Sequence, residues 1–258
     1  MSHTSRCATG LLALTGLLLL MAGPAMAHGI LVTPGPSPEG PPTRANLVQL
    51  QGHTVRATIE DRTAEVTVEQ VFRSTVGREL EGTYLFPLPE GAVVSRFAMT
   101  MGDQMVEGEV LEASQARRVY EDIVRRRRDP GLLEYVGRGV YRARVFPIPA
   151  GGDVTIRLTF QQLLPEDEGT LEFRYPLATA RFHGAPVDHT MIDVSVQSTV
   201  DLKALYSGSH NVAVERDRER AARITYESAR RRQERDFTLF IGRSPDEVGF
   251  SLQSHRAP

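Results

Sequence analysis

Short stretches of alternating apolar and polar residues, separated by glycine, proline and acidic turns, mark this chain as mainly β. They point to an antiparallel β-sandwich with one amphipathic helix. A second sign is a restrictive phrase written twice, Phe-Pro-aliphatic-Pro-x-Gly, at Phe86 to Gly91 and at Phe146 to Gly151. A third is that a helical period occurs in a single place, at about residues 113–128.

The first 27 of the 258 residues read as a leader. Arg6 supplies a positive n-region, "LLALTGLLLLMAG" a short apolar run, and Ala25 to Ala27 a small-x-small cleavage site, so cleavage is expected after Ala27. The apolar run falls short of the ~20 residues a spanning helix needs, so a secreted or periplasmic product with no mature transmembrane segment is expected. Cys7 is the only cysteine and would leave with the leader, which removes disulfides, thiolate nucleophiles and cysteine metal ligands from the mature chain. The formal charge of −2 gives no reason to expect nucleic acid as a partner.

Residues 28–45 contain "TPGPSPEGPPT" and read as a proline-rich linker. In "AEVTVEQVF" Val66, Val68, Gln70 and Phe72 share one face, with Glu65, Thr67, Glu69 and Val71 on the other. Gln70 on the apolar side is expected to hydrogen-bond neighbouring backbone, because a buried amide is costly unless paired. In each copy of the repeated phrase the prolines hold the intervening aliphatic residue extended, and glycine permits a reversal into a new strand, "VVSRFAMTM" or "VTIRLTF". Both copies therefore read as strand exits leading into tight returns. Ala113, Ala116, Val119, Tyr120, Ile123 and Val124 form the apolar stripe of the helix, and Asp129-Pro130-Gly131 ends it. Strands resume with "VYRARVF", "DVTIRLTFQQLL", "TLEFRYPL", "HTMIDVSVQSTV", "NVAVERD", "AARITYES" and "DFTLFIG".

Taken in order, "VEQVFRS", "LEGTYLFPLPEGAVVSRFAM", "VEGEVLEASQARRVYEDIVRR", "DPGLLE" and "YRARVFPIPAGGDVTIRLTFQQLL" resemble the VIT domain of vault protein and inter-alpha-trypsin inhibitor heavy chains. The resemblance places a VIT domain at 46–175, followed by a β-rich extension at 176–258. It implies a sandwich-like module of a secreted bacterial type; in the family a von Willebrand A domain usually follows, and here the chain reads either as a VIT-only member without that domain or as a stretch leading up to one. The expected function is non-enzymatic: protein or matrix interaction at the cell envelope. One alternative is a structural module supporting an adjacent von Willebrand A domain.

No catalytic, cofactor or metal residues are expected. Asp193-Val-Ser195-Val-Gln197 echoes an adhesion metal motif but has glutamine in place of serine at its third ligand position, and alternation of Ile192, Val194 and Val196 reads it as a strand. Glu166, Asp167 and Glu168 follow Pro165 as a solvated turn. A mature chain opening at His28 would pair an α-amine with an imidazole, which suits copper. A copper-dependent oxidative enzyme, drawing a second ligand from His53, His183, His189 or His210, is thus the enzymatic alternative. The basic run Arg125, Arg126, Arg127 and Arg128, with Arg117 and Arg118, complements a helix C-terminus or forms a contact for a polyanion. The cluster from Ala229 to Asp236 reads as an exposed loop.

Overall fold

The computed structural model describes residues 29–33, 47–108, 110–112, 133–135, 140–178 and 186–244. The expected leader, the helix at 113–128, its arginines Arg117, Arg118 and Arg125 to Arg128, and His28 and His183 lie outside the described residues. What is described is all β. Its strands, in chain order, are β1 (Ile30–Val32), β2 (Val48–Glu60), β3 (Thr63–Ser74), β4 (Leu80–Pro87), β5 (Val93–Met101), β6 (Gln104–Gly108), β7 (Val110–Glu112), β8 (Leu133–Tyr135) and β9 (Val140–Ile148). They continue with β10 (Asp153–Leu163), β11 (Glu166–Asp167), β12 (Thr170–Tyr175), β13 (Val187–Gln197), β14 (Asp201–Tyr206), β15 (Ala213–Arg218), β16 (Ala221–Arg231) and β17 (Phe237–Ser244).

Three sheets result: a broad eight-stranded sheet ordered β15-β16-β13-β2-β3-β10-β5-β6, a five-stranded sheet β1-β4-β9-β8-β7, and a four-stranded sheet β11-β12-β17-β14. Alternation decides which face of each strand is covered. On β3, Val66, Val68, Gln70 and Phe72 are buried, as their period requires. The same inner face of the broad sheet carries Val55, Ala57 and Ile59 of β2, Ile156, Leu158 and Phe160 of β10, and Ile192, Val194 and Val196 of β13. Rings cross the layers: Tyr84 packs on Phe72 and Phe86 on Phe160 from the five-stranded sheet, while Phe237 of the four-stranded sheet meets Tyr226. The broad sheet is therefore one layer, and the two smaller sheets share the other.

The twice-written phrase marks where the chain changes sheet. β4 and β9 are antiparallel neighbours in the five-stranded sheet, and β5 and β10 are antiparallel neighbours in the broad one. Each copy ends one of the first pair and opens one of the second. Gly91 and Gly151 adopt φ of 75° and 61°, the left-handed conformation such a reversal requires. The copies differ in one respect. Phe86 is buried, whereas Phe146 is 42% exposed and Ile148 turns inward in its place. The register between β4 and β9 shifts at this point, Gly82 facing Val145 and Leu80 facing Ile148. That bulge inserts an extra residue and reverses the alternation.

Two features extend beyond the sequence reading. Within the stretch read as a linker, Ile30–Val32 is a strand paired along β4, and Leu31 is buried. β13 pairs in parallel with β2, from His189 opposite Gly52 to Gln197 opposite Glu60. The broad sheet thus runs continuously from the 46–175 region into the 176–258 region, and a single hydrophobic cluster spans both.

Candidate functional site

Polar residues inside the sandwich form a row across the broad sheet. His53 of β2 faces Gln70 of β3 on one side and Thr190 of β13 on the other. All three are fully buried. Gln70 and His53 take partners from the opposite layer. The Tyr84 hydroxyl donates to Gln70 Oε1 at 2.7 Å, and Gln70 Nε2 donates to the Gly29 carbonyl at 3.3 Å. The backbone partner expected for Gln70 is therefore the residue just before β1. A Cβ on Gly29 would run into the Tyr84 hydroxyl and Gln70 Oε1, so only glycine fits there. His53 Nε2 lies 2.7 Å from the Tyr175 hydroxyl. Burial pushes both tyrosine hydroxyls well above their ordinary value, so they stay protonated and act as hydrogen-bond partners rather than as bases. The row ties the layers together with buried hydrogen bonds.

The outer face of the broad sheet is different in kind. Arg73 grips Asp153 through two bonds of 2.7 Å, and Arg223 grips Asp193 at 2.8 and 2.6 Å. Arg157 reaches Glu69 at 2.6 Å, Gln161 reaches Glu65 at 3.2 Å, and Thr67 and Thr159 share a 3.0 Å hydroxyl pair. Hydrogen bonding to Arg223, opposed in part by burial and helped by its charge, holds the Asp193 carboxyl below its usual range. The Asp193-Ser195-Gln197 stretch is thus strand β13, with its carboxylate committed to an arginine. Next to this lattice, Val93 and Leu163 are 65% and 66% exposed, and the pairing of Val93 with Gln161 sets the two side chains as diagonal neighbours.

A third cluster gathers at one end of the sandwich, where hairpins from both layers meet. Arg243 of β17, its side chain only 10% exposed, reaches Asp61 at 3.2 Å and Glu166 at 2.7 Å, and Arg62 also contacts Glu166 at 3.4 Å. Asp61 accepts from the Thr199 amide at 2.9 Å and its hydroxyl at 3.0 Å; the backbone bond is the main reason its carboxyl stays below the usual range. Glu166, read from sequence as a solvated residue, is exposed on β11 and also takes part in this ion-pair network. This network has no local sequence signal, because its members come from four separate hairpins and strands.

Among the described residues the histidines do not converge. His53 is sealed in the core, His189 is exposed beside the buried Thr190, and His210 sits in the turn between β14 and β15. Among the described residues no group of three or more His, Cys, Asp or Glu side chains is placed to hold a metal ion. No described helix is long and apolar enough to cross a membrane.

Comparison with known proteins gives a consistent picture. Residues 50–160 match the family model described as the vault protein inter-alpha-trypsin (VIT) domain. The chain is 24% identical over 172 residues to inter-alpha-trypsin inhibitor heavy chain H6 of Homo sapiens, covering 65% of this chain and 13% of that protein. It is 27% identical over 115 residues to the human protein mono-ADP-ribosyltransferase PARP4, covering 45% of this chain and 7% of that protein. The chain therefore spans only a small part of either relative. Among solved structures, a Legionella pneumophila protein described as nutrient-binding superposes with a TM-score of 0.54 at 12% identity, covering 84% of this chain and 71% of that one. At that identity the likeness is one of fold alone.

Proposed function

Residues 50–160 are a VIT domain, and from that premise we propose that the chain is an exported, non-catalytic interaction protein that contacts a protein or matrix partner at the cell envelope. The surface that carries the reading is the outer face of the broad sheet. Six of its charges are paired across strands, Arg73 with Asp153, Arg157 with Glu69 and Arg223 with Asp193. Such a face offers a polyanion little net attraction. It suits a protein surface of mixed charge, which need not strip isolated ions of water to dock. Val93 and Leu163 supply the apolar contact that a protein interface concentrates near its centre.

The test is a photo-crosslinking residue placed at position 163 in producing cells. A discrete adduct with a second protein, lost when Val93→Asp is added to a chain that still folds, supports the reading. Adducts at a control position on the five-stranded sheet, with none at 163, would overturn it. The same premise supports a second reading, a module that holds an adjacent von Willebrand A domain. Its supporting observation is the clasp of Arg243 by Asp61 and Glu166, which fixes the end of β17 and would give a domain attached beyond it a defined orientation. The enzymatic alternative is decided separately, by titrating copper into the processed chain. Tight one-to-one binding that disappears in His28→Ala would displace the interaction reading.

A further inference from the structure

The turn from Ser207 to His210 joins an edge strand of the four-stranded sheet to an edge strand of the broad one, and His210 fills the seam between them. Its ring stands edge-on to Tyr226 of β16 at 4.7 Å and lies tilted over Phe237 of β17 at 5.6 Å. The hydroxyls next to it form a chain with one workable direction. Ser207 Oγ accepts the amides of Ser209 at 3.3 Å and of His210 at 3.2 Å, which uses both its lone pairs. Its own proton is then free for Ser209 Oγ, 3.2 Å away. Ser209 Oγ also accepts the Thr238 amide at 2.9 Å, so both its lone pairs are taken as well. Its remaining proton points to His210 Nδ1 at 2.8 Å. That bond needs a bare Nδ1, hence a neutral imidazole with its hydrogen on Nε2. A second proton would set two donors against each other, and reversing the chain would overload Ser207 Oγ.

The surrounding groups divide over the charged form. Burial, the largest influence, and the Arg235 guanidinium oppose it, while Gln233 and Asp236 favour it, and the balance holds the imidazole below its ordinary 6.5. Tyr226 is occupied with Gln233 Oε1 at 3.3 Å, and Gln233 Nε2 with Ser228 at 2.7 Å.

We propose that this turn is an acid-released latch: neutral His210 clasps the seam between the broad and four-stranded sheets, and protonation lets the β14–β15 crossover go. An unfolded histidine takes its proton near 6.5, above the value in the folded chain. The latch therefore contributes fully above that pH and weakens as pH falls below it, down to the folded value, where the loss levels off.

The experiment uses the whole processed chain with labelled histidine. At pH 7.5, long-range proton–nitrogen spectra should show His210 as the Nε2–H tautomer. Exchange protection of the Thr238 and His210 amides, corrected for intrinsic rates, should drop by about tenfold for each pH unit separating the unfolded and folded values. His210→Phe keeps the ring packing and should abolish this dependence, while Ser209→Ala should raise the pH at which His210 titrates. An Nδ1–H tautomer at pH 7.5, or the same loss of protection in His210→Phe as in wild type, would overturn the latch. Should His210→Phe not fold, the tautomer in the unaltered chain still decides.

Discussion

At the scale of single residues, buried neutral hydrogen bonds matter more than the many exposed ion pairs. Removing the Tyr84 hydroxyl leaves Gln70 Oε1 in the core without its 2.7 Å donor. Tyr84→Phe should therefore cost about 1–3 kcal/mol, the penalty of an unsatisfied buried acceptor, read as a lower urea midpoint at unchanged slope. Gly29→Ala should act on the same node from the other side. Its methyl group has no room beside Tyr84 and Gln70, so β1 should undock, and exchange protection along β4 should fall. Asp193→Asn makes the contrasting case. Arg223 is 58% exposed, so losing its pair should cost no more than about 1 kcal/mol despite bonds of 2.8 and 2.6 Å. For the same reason acid should harm the chain little through Asp193. Its lowered carboxyl contributes above the ordinary 3.8, and that contribution disappears only as pH falls through the folded value.

At the scale of elements, glycines at positive φ mark the corners, and their surroundings rank them. Gly151 has a φ of 61° with open space around a would-be Cβ, so Gly151→Ala should cost only its backbone strain, roughly 1–2 kcal/mol. Gly169 combines a φ of 77° with an Arg243 carbonyl 2.8 Å from the would-be Cβ, and its own carbonyl accepts the Arg243 amide at 2.8 Å. Gly169→Ala should thus destabilise more than Gly151→Ala, and parallel urea titrations of the two variants check that order. The corner at Gly151 was legible in the sequence because proline and glycine act locally, and so was the inward face of β3, where period two needs no partner to be read. The clasp around Arg243 was not legible, since Asp61, Glu166, Thr199 and Arg243 are brought together only by the fold. Nor was the latch at His210. "SGSH" signals a polar turn, but Tyr226 and Phe237, which make a seam of it, arrive from other strands. Phe146 shows how a local rule can mislead: the phrase around it repeats that around Phe86, yet a bulge opposite Glu81 turns it outward.

At the scale of the whole molecule, alternation tells which way a strand faces but not which strand lies beside it. The parallel pairing of β2 with β13 joins segments with no hairpin between them, and it makes the VIT stretch depend on the 176–258 region. Take away everything after Ala178, and β2 becomes an edge whose backbone groups lose nine paired residues, from His189 to Gln197. Leu171, Phe173 and Tyr175 of β12 would lose Phe237, Leu239 and Ile241 of β17, their neighbours in the four-stranded sheet. His53 would keep its bond to Tyr175 only if β12 stayed docked without that sheet. A fragment of residues 28–178 should therefore keep β-type far-ultraviolet circular dichroism but lose the near-ultraviolet signal of its packed tyrosines, bind hydrophobic dyes and aggregate through the bared edge. A fragment of residues 28–244 should retain a cooperative urea transition. If the shorter fragment unfolds as sharply as the longer one, the continuous broad sheet is not what holds the two regions together, and residues 46–175 fold as a unit of their own.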